Sequence, residues 1–224
     1  ARESIHIEQE LIKETVGSQD QIAAAYGGLN YIEFRRDGEF DVNPVTIPPA
    51  RYQELSDHLM LFYTGIMRYA SEVAGSYVNN LEAQKEKLFR MNDMVQKGIG
   101  ILSSEDDIGL FGDLLDQSWQ LKRQLGDKVA NPVVDGLYER ARRAGALGGK
   151  LTAAGGGGFL LLFAPPEKQL AVREELKELL YVPFDFDRSG SQIVFYDPRL
   201  DDYRDIRDKH GNGRINPFRE LESI

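Results

Sequence analysis

The chain has 224 residues, 42% of them hydrophobic and 28% charged, which is the balance of a globular protein large enough to bury a core. A formal net charge of −9 makes nucleic acid a poor partner, and no apolar run approaches the roughly 18 residues that cross a bilayer. The absence of cysteine excludes disulfides and thiolate nucleophiles and fits a cytoplasmic protein. Only three histidines are present, without ligand-like spacing, so any metal should be a hard ion held by oxygens, such as Mg²⁺.

The first 48 residues predict two helices followed by a β-hairpin. Ser18 and Gln21 have the spacing of a capping box at the start of the second helix. Ala1–Gln21 is polar and acidic, unlike a signal peptide. The predicted elements are a helix over Ser4–Thr15, a helix from Gln19 to about Tyr26, and strands Leu29–Phe34 and Glu39–Ile47 around the turn Arg36-Asp37-Gly38.

The remaining residues alternate helices and strands after Pro48-Pro49, where we expect a domain boundary. This order predicts an α+β fold, with an antiparallel sheet covered by helices on one face, over residues 49–197, and a charged tail over 198–224. The predicted elements are strand His58–Thr64, helices over about Arg68–Gly98, Glu105–Leu125 and Pro132–Ala144, strands near Lys150–Thr152 and over Phe159–Phe163, helix Glu167–Leu180, and strands Val182–Phe186 and Ser191–Tyr196.

Four consecutive glycines, Gly155 to Gly158, precede the strand Phe159–Phe163. Glycine allows backbone N–H groups to turn inward and approach an anion closely, and Lys150 and Thr152 lie just upstream. The pattern is neither a Walker loop nor a dinucleotide fingerprint, because a strand follows the loop. We interpret the run as a phosphate-facing loop; the alternative is a connector that binds no ligand.

Two acidic residues near the start of the chain are candidates for chemistry. Asp20 falls in the first turn of its predicted helix, where the helix dipole favours a negative charge. From there an ionised carboxylate could orient a substrate hydroxyl or accept its proton. Glu8 lies one helix earlier and could ligate Mg²⁺ at the same cleft. The simpler interpretation, which spacing alone favours, is that Asp20 caps a helix and Glu8 is a solvated surface acid.

Two of these segments resemble motifs of the GHMP kinase superfamily. Gly149-Lys-Leu-Thr-Ala-Ala-Gly-Gly-Gly-Gly158 is similar to its third motif, K-L-[TS]-G-A-G-G-G-G, with Ala153 in place of the first glycine. Gly17-Ser-Gln-Asp-Gln-Ile-Ala-Ala-Ala-Tyr-Gly-Gly28 resembles the segment that carries the catalytic aspartate. Within the superfamily, the chain is most similar to the D-glycero-D-manno-heptose 7-phosphate kinases. The resembling segments, besides the glycine run, are Gln19–Phe34, Leu61–Gly65 and Phe111–Arg123.

The resemblance implies roles for individual residues. Asp20 is then the catalytic aspartate, and Arg68 resembles a basic residue near the active site, although it is equally well a surface arginine at a helix end. Glu8 stands where the family places its Mg²⁺ ligand. Lys150, Thr152 and the glycines would face the nucleotide's phosphates and the substrate. Within the heptose-kinase-like stretch lie two further residues, Trp119, which is more typical of a core, and Lys122. The glycines are Gly155, Gly156, Gly157 and Gly158.

The resemblance also implies an architecture and a reaction. Residues 1–48 would end the kinase N-terminal domain, and 49–197 would form the ferredoxin-like C-terminal domain. The reaction would be phosphoryl transfer from Mg-ATP to the anomeric hydroxyl of a heptose 7-phosphate. The alternatives are a kinase for another sugar such as galactose or fucose, a binding protein that retains the fold without catalysis, and a structural module without metal. A small-molecule sugar partner is implied, without nucleic acid or membrane, and a homodimer is compatible with the sequence.

One departure from the family concerns its N-terminal region. The substrate-binding motif and the loop P-x-x-x-G-L-[GS]-S-S-[AS], which holds the ATP phosphates in the family, do not occur in these 224 residues. We therefore expect that the sequence corresponds to the latter two-thirds of a kinase. On that expectation the chain alone binds ATP weakly and turns over little or nothing.

Overall fold

The structure, a computed structural model, describes residues 1–67, 81–126, 129, 131–152 and 157–194. Ala1–Ser191 form one compact unit; of a second unit, Gln192–Ile224, only residues 192–194 are described, and they form no helix or strand. The division at residue 48 stays a prediction. The described elements are α1 (Arg2–His6), a π-helical segment (Ile7–Leu11), α2 (Gln19–Tyr26), β1 (Asn30–Phe34), β2 (Phe40–Pro44), α3 (Pro49–His58), β3 (Leu59–Tyr63), a 3-10 turn (Glu82–Gln84), α4 (Lys85–Ser103), α5 (Gly109–Arg123), α6 (Pro132–Ala144), β4 (Gly148–Leu151), β5 (Phe159–Phe163), α7 (Pro166–Glu175) and β6 (Leu180–Tyr181).

Four strands form an antiparallel sheet in the order β4-β5-β3-β6. Helices separate β3 from β4, and α7 separates β5 from β6, so the connectivity is the β-α-β-β-α-β of a ferredoxin-like domain. This confirms the predicted α+β fold with helices packed on an antiparallel sheet. Strands β1 and β2 form a separate antiparallel hairpin around the predicted turn, where Gly38 adopts a positive φ of 85°.

The core lies between one face of the sheet and the helices. Because side chains alternate along a strand, Met60 and Phe62 of β3 share a face with their partners Leu162 and Leu160 of β5, and all four are at most 1% exposed. Trp119 of α5 is buried against them, which confirms its interpretation as a core residue. The other helical residues in this cluster are Val134, Leu137, Tyr138, Ala141 and Val172, and Leu176 directly follows α7. No helix among the described residues is both long and apolar enough to span a bilayer.

Helix α6 has the bounds that the sequence predicts, and its two ends show why. The side-chain oxygen of Asn131 accepts hydrogen bonds from the backbone N–H groups of Val133 at 3.1 Å and Val134 at 3.0 Å. Pro132 occupies the first helical position, and Gly145 ends the helix in the left-handed conformation with φ 115°.

The predicted helix Ser4–Thr15 is only partly correct. The helix begins at Arg2, changes to π geometry over Ile7–Leu11 and ends near Lys13, which has a positive φ of 62°. Neither segment buries a residue. A helix without a packed face has little tertiary support for regular geometry, so local irregularity costs little here.

The predictions for residues 167–196 are wrong in their bounds. Helix α7 ends at Glu175, and the strand over Val182–Phe186 is replaced by the two-residue strand β6. The backbone N–H of Val182 donates to Leu61 O at 2.8 Å, but Pro183 has no N–H with which to continue the ladder. Residues 191–194 are not a strand, and residues 195 and 196 lie outside the described residues.

Helix α3 is absent from the predictions, although Pro49 at its first position is a recognised helix signal. It contributes Arg51, which is buried at the end of α4. The Arg51 guanidinium donates to Ile101 O at 2.7 Å and Asp106 O at 2.8 Å, and it pairs with Glu54 at 2.7 Å. Carbonyls at a helix C-terminus lack intrahelical partners, and Ile101 O accepts from both Arg51 and the hydroxyl of Ser104, the latter at 3.2 Å.

Replacing Arg51 by methionine should lower the free energy of unfolding by about 3 kcal/mol, because it removes the charge-assisted hydrogen bonds that the buried guanidinium donates to Ile101 O and Asp106 O while keeping the aliphatic packing. Denaturant unfolding measures the change. The matched control is Arg35→Met, since Arg35 is half exposed and its ion pairs with Asp37 and Asp41 lie at the surface at 3.7 and 3.4 Å. Equal losses for the two variants would contradict a special role for Arg51.

Candidate active site

Helix α2 presents Asp20 at its first turn. Its bounds, Gln19–Tyr26, are those predicted, and the Asp20 side chain is exposed. A carboxylate in the first turn of a helix is stabilised by the unpaired N–H groups there. Asp20 is thus a negative charge that a solute can reach.

The predicted capping box does not form. Ser18 is the residue before α2, but its side chain makes no capping hydrogen bond and its Oγ instead accepts from Gln9 Nε2 at 3.1 Å. Gln21 does not reach back to Ser18; its Nε2 donates to the carboxylate of Glu8. Both side chains therefore connect α2 to the preceding helical segment.

A later segment of the chain holds the other end of α2. The N–H of Gly28 donates to Asp187 O at 2.6 Å, and the N–H of Ser191 donates to Ala25 O at 3.0 Å. Gly27 and Gly190 both have positive φ, and a Cβ on Gly27 would lie 2.3 Å from Gly190 N. Glycine is required at this crossing, which anchors α2 through backbone contacts.

Glu8 lies in the π-helical segment and is half-buried. Its hydrogen bond with Gln21 places the carboxylate beside the residue that follows Asp20. Among the described residues no three carboxylate or histidine side chains converge to hold a metal ion. Mg²⁺ nevertheless binds through one or two carboxylates together with substrate phosphates and water, so Glu8 has the donor chemistry that the predicted role requires.

The charge of Asp20 raises the pKa of two lysines, Lys122 and Lys150, against the larger lowering effect of burial. Lys122 is in the last turn of α5 and Lys150 is in β4, and both side chains are half-buried. Burial lowers the pKa of Lys122 to about 8; the charge of Lys150 acts in the same direction and Asp20 opposes it. Burial also lowers the pKa of Lys150, again against the attraction of Asp20.

The elements that carry the two lysines touch through their backbones. A Cβ on Gly148 would lie 1.9 Å from Gly112 O and 2.9 Å from Asp116 N. A Cβ on Gly112 would lie 2.8 Å from the side chain of Leu147. Because both positions lack a side chain, the backbones of α5 and β4 pack in close contact at Gly112 and Gly148.

The loop that contains the glycine run is closed by a pair of hydrogen bonds at its base. The N–H and the hydroxyl of Thr152 both donate to Phe159 O, at 2.9 and 3.3 Å. Thr152 therefore helps to close the loop, and its predicted role toward a phosphate stays a prediction.

The end of the glycine run is fixed to the Leu61–Gly65 segment and its neighbour. Gly158 O accepts from the N–H and the hydroxyl of Thr64, at 2.9 and 2.8 Å, while the Gly158 N–H donates to Ile66 O at 2.8 Å. A Cβ on Gly157 would lie 2.4 Å from Ile66 O. The N–H of Gly158 is thus engaged within the fold, and glycine is required at 157 by close packing.

Three of the predicted site residues, Arg68, Gly155 and Gly156, lie outside the described residues. Their roles, like those of the other predicted site residues, remain predictions. Among the predicted residues, the charge of Asp20 acts on Lys150; it also acts on Lys122, for which the sequence offered only membership of a family-like stretch. It also reveals Gln21 and the 187–191 crossing, neither of which has a sequence signal that assigns it to the site.

A cavity of about 460 Å³ lies between α2 and β1 on one side and α4 and α5 on the other. Its lining is mostly apolar and includes Gln19 and Ala23, which are near Asp20 on α2, but not Asp20, Lys122 or Lys150. Phosphoryl transfer requires charged and hydrogen-bonding groups. We therefore place the candidate site at the charged residues beside this cavity.

Sequence comparison identifies the class to which this arrangement belongs. Residues 96–182 match the model of the family described as GHMP kinases C terminal. The chain contains a C-terminal domain of the GHMP kinases.

The individual relatives that this chain resembles include two heptose phosphate kinases and a fucokinase-containing protein. The D-glycero-alpha-D-manno-heptose 7-phosphate kinase of Campylobacter jejuni subsp. jejuni is 32% identical over 194 residues, covering 85% of this chain and 57% of the relative. A solved D-glycero-D-manno-heptose 1-phosphate kinase from Bacteroides thetaiotaomicron is 25% identical, with a TM-score of 0.61 over 84% of this chain and 52% of that chain. A bifunctional fucokinase/GDP-fucose pyrophosphorylase of Arabidopsis thaliana is 29% identical over 72% of this chain and 16% of the relative. The chain thus spans little more than half the length of the two heptose phosphate kinases.

Proposed function

We propose that the protein is an ATP-dependent sugar kinase, a phosphotransferase with an alcohol group as acceptor, and that its substrate is a heptose 7-phosphate. The observation that carries the proposal is the match of residues 96–182 to the GHMP kinase C-terminal domain, together with the electrostatic effect of Asp20 on Lys122 and Lys150. The 32% identity to a heptose 7-phosphate kinase supports the choice of acceptor.

The proposed chemistry assigns the proton transfer to Asp20. Its carboxylate accepts the proton of the anomeric hydroxyl while that oxygen bonds to the γ-phosphorus of ATP; the bond from this phosphorus to the bridging oxygen breaks, and ADP leaves. Lys150 and Lys122 neutralise the negative charge that the phosphoryl group brings to the site. Phosphoryl transfer needs little covalent participation from the protein, so positioning and charge supply most of the rate.

The remaining predicted residues complete the proposal. Glu8 would hold Mg²⁺, which supplies charge neutralisation on the phosphates when bound. Arg68 would add positive charge near the acceptor. Thr152 and Gly155 to Gly158 would border the phosphates. We further propose a cytoplasmic protein whose partners are small molecules, without nucleic acid or membrane, and a homodimer as its state of association.

A second candidate is a kinase for a different sugar, which the similarity to a fucokinase-containing protein favours. The non-catalytic alternative is a GHMP-derived protein that binds sugar or nucleotide without turnover. ADP formation distinguishes both kinases from the non-catalytic binding protein, and acceptor preference distinguishes the two kinases from each other.

The test is ADP release with Mg-ATP and a panel of hexoses, heptoses and their phosphates. It is run on the 224-residue chain beside the product of the complete open reading frame. We expect ADP release from the complete product with a heptose 7-phosphate, at least about tenfold above that with galactose or fucose. A preference for fucose or galactose would contradict the heptose 7-phosphate as acceptor and support the kinase for another sugar. Ligand binding without ADP release from any acceptor would contradict the kinase and support the non-catalytic binding protein.

A further inference from the structure

We propose that Gln21 is a positioning residue of the metal site: its side-chain amide holds the Glu8 carboxylate in place for Mg²⁺. The sequence pattern assigned Gln21 to a capping box, which does not form, and gave it no role in chemistry. The inference rests on the proposed function, in which Glu8 binds the metal, but metal binding itself does not require turnover.

The first argument is the hydrogen bond between the two side chains. Gln21 Nε2 donates to the Glu8 carboxylate across 13 positions of the chain, from α2 to the π-helical segment. Carboxylates that ligate a metal are commonly oriented by a hydrogen bond from a neighbouring group. An amide suits this task because it donates to the carboxylate without neutralising the charge that attracts the cation.

The second argument is the difference in packing between the two elements. No residue of Ile7–Leu11 is buried, so packing does not fix the direction of the Glu8 side chain. Helix α2 is fixed in the core by Ile22, the neighbour of Gln21, whose side chain is fully buried. Gln21 therefore ties a carboxylate on a loosely packed segment to the helix that carries Asp20.

The third argument is an unpaired atom on the same amide. Gln21 Oε1 is buried, yet it has no hydrogen-bond donor among the residues that the structure describes. A buried carbonyl oxygen without a donor is unfavourable, so it points to a ligand that supplies one. Mg²⁺ keeps several water molecules when it binds carboxylates and phosphates, and such water donates hydrogen bonds. The two ends of the amide thus suit a metal site: Nε2 orients the carboxylate, and Oε1 accepts from water on the ion.

The experiment is a titration with Mn²⁺, which binds the same kinds of oxygen ligand as Mg²⁺ and whose free form is measured by electron paramagnetic resonance. It is run on the product of the complete open reading frame with AMP-PNP, which carries the phosphates without transferring one. Gln21→Met keeps the length of the side chain and removes both polar atoms. This variant should weaken Mn²⁺ binding by about 10- to 100-fold.

The matched control is Gln9→Met. Gln9 is also half-buried, and its Nε2 joins the π-helical segment to the loop before α2 by donating to Val16 O at 3.0 Å and Ser18 Oγ at 3.1 Å. These hydrogen bonds tether the segment without touching the Glu8 carboxylate. Gln9→Met should therefore lower the melting temperature about as much as Gln21→Met does, and it should leave Mn²⁺ affinity unchanged.

A double-mutant cycle tests whether Gln21 acts through Glu8. Glu8→Gln alone should weaken Mn²⁺ binding, and adding Gln21→Met should weaken it little further, because the carboxylate that Gln21 orients is gone. In steady-state kinetics, Gln21→Met should raise the Mg²⁺ concentration that gives half the maximal rate more than it lowers kcat at saturating Mg²⁺.

Four results would overturn the proposal: unchanged Mn²⁺ affinity in Gln21→Met, an equal loss in Gln9→Met, fully additive losses in the cycle, or no Mn²⁺ binding by the wild type. A higher KM for the sugar with unchanged Mn²⁺ affinity falls under the first of these and would assign Gln21 to the acceptor. Mn²⁺ binding that depends on Gln21 without ADP release from any sugar would leave the positioning role standing and refute the kinase. ADP release by Gln21→Met with the rate and the Mg²⁺ dependence of the wild type would do the reverse.

Discussion

Replacing Asp20 by asparagine should lower the kcat of the proposed sugar kinase by at least about a hundredfold, because the amide cannot accept the proton of the attacking hydroxyl. The substitution keeps the size of the side chain, which is exposed. Helix α2 is held by backbone groups of Ala25, Gly27 and Gly28, so the fold should persist. The loss should therefore appear in kcat rather than in the melting temperature.

Steady-state kinetics on the complete product, with kcat and KM measured separately, check this result. Asp93→Asn is the matched control, since Asp93 is an exposed acid on α4 and should be replaceable without effect on turnover. A second readout concerns Lys122, whose protonation Asp20 favours; in Asp20→Asn the pKa of Lys122 should fall further below its ordinary value. Turnover near that of the wild type would remove Asp20 as the general base.

Replacing Gly148 by alanine should lower the free energy of unfolding by about 3 kcal/mol. The added Cβ would lie 1.9 Å from Gly112 O, which is backbone and cannot rotate away. Either β4 or α5 must move, and Lys150 and Lys122 move with them. The kcat of the proposed kinase should therefore fall together with stability. Denaturant unfolding and steady-state kinetics measure the two effects.

Gly136→Ala is the control for Gly148→Ala. Gly136 lies inside α6, and an added Cβ there would meet no atom within 4 Å. Alanine has the higher helix propensity, so this variant should gain about 0.5–1 kcal/mol. If Gly148→Ala proved as harmless as Gly136→Ala, the close packing of α5 on β4 would not be what places the two lysines.

Local signals in the sequence predicted those elements that depend on local interactions. Helix α6 has a capping asparagine, a first-position proline and a terminal glycine, and its bounds are those predicted. Strand β5 is an apolar run that follows glycines, and its bounds are also those predicted. The bounds of α2 are correct although the cap that suggested them does not form. The side chains of Ser18 and Gln21 form hydrogen bonds with Gln9 and Glu8 instead. The helix start was predictable; the partners of its polar side chains were not.

The candidate site was predictable only where a motif carried it. Asp20 and Lys150 stand in motifs, whereas no motif assigned a role to Lys122, whose pKa both of them influence. The close packing of α5 on β4 depends on Gly112 and Gly148, two glycines far apart in sequence, each of which alone indicates nothing. Similarly, residues 187–190 lay between two predicted strands, but Pro183 ends the ladder and the segment Asp187–Ser191 crosses α2.

The crossing of α2 by Asp187–Ser191 joins positions about 160 residues apart, and closing so long a loop carries a large entropic cost. The contact should form only after the intervening sheet and helices have brought its ends together. Hydrogen exchange at the amides of Gly28 and Ser191, compared with those of β3 and β5, reports this order. Because the crossing fixes one end of α2, Asp20 then takes its final position late in folding, after the intervening sheet and helices have formed.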